Sequence, residues 1–452
     1  MNKTVKSLIK FISYAVIAAA LMFSTTLPAF AAEFSHGTDA DDPAEAAITK
    51  ILKMPVNTPT PAATFTFTFT KVGIDGLTDS TTKDNMPAIP NVTITFAADD
   101  NEVPAPFMEV KDGTKYVVKE SDNFLDGIAP EMWLNGEGIY RYQVEETEGG
   151  FALGAKEGAV YSKAKYDVEV WVEEDEHGVL FPKYVCVKIV AGSIDEYYDG
   201  GEAGGEKVDP TPGGPSLVVG EPTIEDDFSQ VIFTNKYWKT DGGGIDDLDS
   251  SALEITKIIN GNDANLDARF DFDVKVTQPD VIPTLQKYMA YVLDKDGNNV
   301  TSTDHYTTLG TDDNGELYIE FTSGVLLEGI KLTNEERLVF ADLHIGASVE
   351  ATEAAADGYI PRYQRTFAGT DEFRGTVKTA FGFPRTTNDP GPHFIGAGAN
   401  SNVATFTNTR TGATPTGISV DDLPFIVMIS AAALALITFL VIKVVGKTKR
   451  DA

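Results

Sequence analysis

The sequence predicts an all-β protein: two tandem β-sandwich domains between apolar terminal segments. Three observations predict it. Period-two alternation recurs along the chain, glycine-bearing turn signals separate the alternating runs, and the same order of strand signatures occurs twice.

The alternation is clearest in Thr64-Phe65-Thr66-Phe67-Thr68-Phe69-Thr70. It recurs in Asn91–Phe96, Tyr166–Val172 (with Trp171 on the polar side), Tyr184–Val187 and Phe270–Val276. Period two puts one face of a strand in a core and the other in water. Lys111-Asp112-Gly113, Asp296-Gly297 and Asn314-Gly315 read as turns between strands. Long amphipathic helical patterns are scarce, with short helices expected only around Asn123–Ile128 and Thr284–Leu293. Packed sandwiches are the simplest architecture for such a chain.

Ile48-Thr49-Lys50 recurs as Ile255-Thr256-Lys257. Phe65-Thr66-Phe67 recurs as Phe270-Asp271-Phe272, and Tyr140–Glu146 has a counterpart in Ala347–Glu353. Val231-Ile232-Phe233-Thr234-Asn235 matches Ala404-Thr405-Phe406-Thr407-Asn408. The repeat divides the chain into a domain over 45–239 and another over 252–410. Residues 199–222, rich in Gly, Pro and acid, read as an exposed loop, and 240–251 as a linker.

The chain carries net charge −32. Residues 1–31 hold three lysines and no acid, and 417–452 hold four bases and three aspartates, so residues 32–416 carry −36. That excludes nucleic acid as a partner, because phosphate binding needs clustered Lys and Arg. The single cysteine, Cys186, permits no internal disulfide and reads as a small hydrophobe on a strand. The sequence has no His-x-x-x-His, Gly-x-Ser-x-Gly or phosphate loop. Neither enzymatic turnover, nor a cofactor, nor a metal is expected. The acidic turns at Asp294 and Asp312 lack the glutamate that would close an EF-hand register.

Both ends carry export signals. Residues 1–31 combine Lys3, Lys6 and Lys10 with an apolar run and Ala29-Phe30-Ala31, the pattern of a cleaved signal peptide. Residues 423–442 form an apolar run of about the length that spans a bilayer. A basic tail follows over 443–452. Just upstream stands Thr414-Pro415-Thr416-Gly417. Motif, apolar span and basic tail together resemble a sortase sorting signal. That resemblance implies cleavage between Thr416 and Gly417, transfer of the Thr416 acyl group to an amine, and covalent attachment to the wall of a Gram-positive-type cell. A lasting membrane anchor is the plainer alternative.

The repeated frame sets Lys50, Glu146 and Asn235, and again Lys257, Glu353 and Asn408, in the same order as candidates for chemistry. A lysine turned inward on a first strand loses its charge readily, which makes it a nucleophile. An asparagine on an adjacent last strand is an acyl acceptor. A buried, protonated glutamate can polarise the asparagine carbonyl and move protons. Both repeats thereby resemble the isopeptide linkage domains of Gram-positive pilins, with a CnaB-type, Ig-like sandwich. The resemblance implies bonds Lys50–Asn235 and Lys257–Asn408, formed autocatalytically with Glu146 and Glu353. Glu145, Lys53 and Glu350 are the rival residues nearby.

The resemblance implies a structural surface protein, a pilin-like subunit or wall-anchored stalk. Its partners would be a sortase and either peptidoglycan or neighbouring pilin subunits. Lys183, in Phe181-Pro182-Lys183, and Lys207, in the acidic loop, are candidate polymerising lysines. The alternative is a monomeric wall-anchored adhesin binding a host or environmental ligand through its loops.

Overall fold

The computed structural model describes residues 35–98, 108–111, 113–193, 205–213, 228–367, 371–376, 380–381, 393–398, 400–410, 428–429 and 431–439. The signal-peptide segment 1–31, the 414–417 motif and the 443–452 tail lie outside these residues. Residues 431–439 are helical, and no helix among the described residues is long and apolar enough to cross a membrane. Most of 423–442 lies outside that description.

The architecture is all-β, with two sandwiches and two main cores. In the first, one sheet runs in the order Ser35–His36, Leu180–Ile189, Lys165–Glu174, Gly138–Thr147, Ala63–Ile74, Val92–Phe96. Facing it, Thr49–Pro55 lies between Ile232–Asp241 and Thr114–Glu120. Phe65, Phe67, Tyr140, Tyr142, Val168, Val170 and Phe233 fill the space between, as their alternation requires. Pairing of Ser35–His36 with Tyr184–Val185 extends this domain upstream of residue 45.

The second sandwich repeats the plan. Leu253–Asn260 lies between Arg337–Phe340 and Val403–Arg410, opposite a sheet containing Leu326–Leu332, Phe270–Thr277 and Ser348–Glu353. In both domains the lysine-bearing strand, Thr49–Pro55 or Leu253–Asn260, pairs in parallel with the last strand. Each domain is therefore closed by its own ends.

Four expectations are corrected. Residues 123–128 form turns, because the Asn123 side chain accepts from the Ala46 and Leu125 N–H groups. Residues 287–293 form a strand buried on both faces, which erases the period-two signal. A helix not expected spans Ser80–Asp84, capped by Asp79. Within 199–222, Lys207–Val208 pairs with Val187 and Lys188, and Val208 and Asp209 are buried.

A further correction concerns 240–251. The closing strand of the first domain continues through Thr240 and Asp241, which pair with His344 and Leu343 of the second domain. Gly242, at φ +107°, lies so close to Ala341 that a Cβ there would sit 2.0 Å from its carbonyl oxygen. Asn57 Nδ2 donates to the Phe394 and Ile395 carbonyls, and Lys156 pairs with Asp342 at 3.1 Å. The segment is a shared strand and a packed joint.

Candidate functional site

Strand register sets the site. In the first domain Lys50 lies opposite Phe233, and Leu52 lies opposite Asn235. In the second Lys257 lies opposite Phe406, and Ile259 opposite Asn408. Side chains two apart share a face, so lysine and asparagine point together into each core. Across the sandwich, Glu146 pairs with Phe67, and Glu353 with Phe272. The same interval, 96 residues, separates lysine from glutamate in each domain.

The structure brings all six residues into two buried triads. Lys50 Nζ donates to Glu146 Oε2 at 2.6 Å, and Asn235 Nδ2 donates to Glu146 Oε1 at 2.6 Å. Lys257 Nζ donates to Glu353 Oε1 at 2.6 Å, and Asn408 Nδ2 donates to the same oxygen at 2.7 Å. Both lysines are 0% exposed. Each amine also sits over an aromatic ring, Lys50 over Phe65 at 4.6 Å and Lys257 over Phe270 at 4.2 Å. Those rings exclude water while their faces tolerate residual positive charge.

Burial drives the charges towards neutrality. It pushes the Lys257 amine down to about 8, against the opposing pull of Glu353. It also pushes the Glu353 carboxyl above the usual carboxylate range, with Lys257 acting against it. Moving the proton from amine to carboxylate leaves a neutral pair, which a dry core tolerates better than an ion pair.

The rival residues have other partners. Glu145 pairs with exposed Lys165, Glu350 with Lys275 at 3.2 Å, and Lys53 lies over the Tyr116 ring. The sequence reading placed the glutamate on the asparagine carbonyl. In both domains the glutamate instead meets the carboxamide nitrogen. In the first domain the carboxamide oxygen accepts from the Ser162 N–H at 2.6 Å. Sequence reasoning missed Ser162, because a backbone donor leaves no residue signature. It also used Phe65 and Phe270 only as strand markers.

Lys183 sits at a register irregularity between Pro182 and Tyr184, donates to the Thr38 carbonyl at 3.3 Å and lies over Phe181. Lys207 is half-buried in its short strand, not in an open loop. Thr416 and Gly417 lie outside the described residues. Cys186 is buried. Among the described residues no group of His, Cys, Asp and Glu is arranged to hold a metal.

A family model described as a domain of unknown function (DUF7601) matches residues 251–410, the second sandwich. No curated protein matches the chain. Among solved structures, the chain is similar to the major pilin of Streptococcus pyogenes, at 15% identity and TM-score 0.29, covering 81% of this chain and 99% of that one. A second major pilin from that organism, of serotype GAS13637, gives 17% identity and TM-score 0.27 over 84% and 100%. The shaft pilin of Lactobacillus rhamnosus GG gives 10% identity and TM-score 0.13 over 82% and 99%.

Proposed function

We propose that each domain closes an intramolecular isopeptide bond, Lys50 to Asn235 and Lys257 to Asn408. The carrying observation is the twice-built buried triad of lysine, glutamate and asparagine at hydrogen-bond distance. In each, the glutamate takes a proton from the ammonium. The neutral amine attacks the asparagine Cγ, and a new C–N bond forms. The glutamate, already bonded to the carboxamide nitrogen, protonates it while accepting the second amine proton. The old C–N bond breaks and ammonia leaves. Fixed geometry replaces a bimolecular encounter. Each glutamate acts once, on its own chain, so there is no turnover.

Each bond would join a domain's lysine-bearing strand to its last, so tension applied at the two ends would pass through it. We infer a structural role at the cell surface, as a pilin-like subunit or wall-anchored stalk. The signal-peptide and sorting-signal patterns at the ends support this reading, with a sortase as attaching enzyme. Intact mass tests the chemistry: each bond lowers the mass of the purified chain by about 17 Da, one ammonia. Lys50→Ala and Lys257→Ala each restore one such loss. A mass equal to that of the unlinked chain contradicts the proposal.

A further inference from the structure

We propose that the Ser162 backbone N–H is a catalytic donor for bond formation in the first domain, stabilising the Asn235 carboxamide oxygen as it gains negative charge. This rests on the isopeptide reading above. Ser162 N lies 2.6 Å from Asn235 Oδ1, and both residues are buried. An N–H can only donate, so it fixes the carboxamide with oxygen towards Ser162 and nitrogen towards Glu146. Attack by Lys50 Nζ on Cγ moves a π-electron pair onto Oδ1. A donor already aimed there, away from water, needs no reorganisation as that charge grows.

The two Glu146 oxygens then serve different atoms. Oε2 faces the Lys50 amine and Oε1 faces the Asn235 nitrogen. Glu146 takes the first ammonium proton at Oε2; once the amine has attacked, the carboxyl passes that proton to the leaving nitrogen and takes the second proton from the attached amine. The bond Nζ–Cγ forms, Cγ–Nδ2 breaks, ammonia leaves, and Glu146 ends as it stood before the attack. The carbonyl electron pair returns from Oδ1 to carbon, and the Ser162 N–H stays unchanged.

Local chain path explains the donor. The edge strand Glu157–Val160 pairs with the closing strand through Val160 and Lys236 and ends there. Ser162 lies just past that ladder. Its Oγ accepts from the Ala164 N–H at 3.2 Å, turning the chain. In the second domain the strand beside the closing strand is Tyr359–Phe367, which also pairs with Asp371–Thr376 and places Arg362, at the register of Ser162, opposite Thr407. Asn408 Oδ1 and Glu353 Oε2 have no hydrogen-bond partner among the described residues. The first bond should therefore form faster than the second.

The test follows the full chain during cell-free synthesis. Aliquots are quenched in denaturant and digested, and the two linked peptides are quantified separately by mass spectrometry. In the parent chain the Lys50–Asn235 link precedes the Lys257–Asn408 link. Ser162→Pro, which deletes the N–H, slows the first link by about 100-fold, the usual cost of losing one such donor. The second link keeps its rate. Proline also constrains the chain, so a further variant carries the α-hydroxy acid analogue of serine at 162. That exchange turns the amide into an ester, removes the donor alone, and should give the same slowing. An unchanged first-link rate in the ester chain overturns the proposal. Absence of both linked peptides from the parent chain overturns the isopeptide reading instead.

Discussion

The two domains hold the same three side chains in the same strand register, yet they arrange the carboxyl differently. In the first, Glu146 offers separate oxygens to amine and carboxamide, and Ser162 holds the carbonyl. In the second, one Glu353 oxygen takes both donors, and the Asn408 oxygen has no partner among the described residues. Sheet register is what the repeat preserves, because register decides which residues face the core. The strand beside the closing strand is where the repeats diverge: Glu157–Val160 is an edge, and Tyr359–Phe367 is paired on both sides. In the proposed reaction the shared part would supply the chemistry, and the divergent part would set its speed.

The largest expected effect comes from deleting one bond at a time. Each proposed bond would close a loop of more than about 100 residues, for which the chain-entropy estimate is about 5 kcal/mol. Lys50→Ala should lower the melting transition of the first domain, and Lys257→Ala that of the second. Calorimetry of both variants checks this, and a variant that keeps its parent transition would break the equivalence of the domains.

The joint is the next test. Gly242→Ala places a Cβ against the Ala341 carbonyl at a backbone angle that favours glycine. A cost of about 1–3 kcal/mol is expected from that strain. Both links should still form, while proteolysis within 240–251 should become faster. If links are lost as well, the triads depend on the joint and the domains are not independent units.

A pH dependence sharpens the comparison from the second domain. With Asn408→Ala no link forms, and Lys257 remains a buried amine. Its folded value, about 8, lies below the ordinary 10.5. The unfolded chain therefore binds more protons between those values, and stability rises with pH across that window. The raised Glu353 value acts oppositely, its contribution being lost as pH rises through its folded value. Urea unfolding from pH 7.5 to 10 reads the lysine effect, and adding Lys257→Met should flatten the slope. An equal slope in both chains would contradict it.

The smallest effect concerns the rings over the amines. Phe65→Leu and Phe270→Leu keep an apolar cover but remove the ring face, a change of about 0.5–2 kcal/mol. A modest fall in linking rate is expected in the domain that carries the change, read by the same peptide time course.

Much of this was legible in the sequence. Alternation marks a strand with one wet face, so Phe65, Phe67, Phe270 and Phe272 were placed in cores correctly. The ordered lysine, glutamate and asparagine could be read because each must lie at an inward strand position. The rest was hidden for physical reasons. Strand 287–293 is buried on both faces and shows no period. The pairing of Thr240 and Asp241 with His344 and Leu343 joins distant segments through backbone groups, which any residue can supply. The Ser162 donor is likewise a main-chain N–H.

The central claim is that each domain is closed by its own lysine and asparagine. Tandem mass spectrometry of a protease digest of the full chain tests it most directly. The account predicts two branched peptides, one joining Lys50 to Asn235 and the other Lys257 to Asn408, each lacking one ammonia. Unlinked peptides carrying free Lys50 and Lys257, or links that cross between the domains, would contradict it.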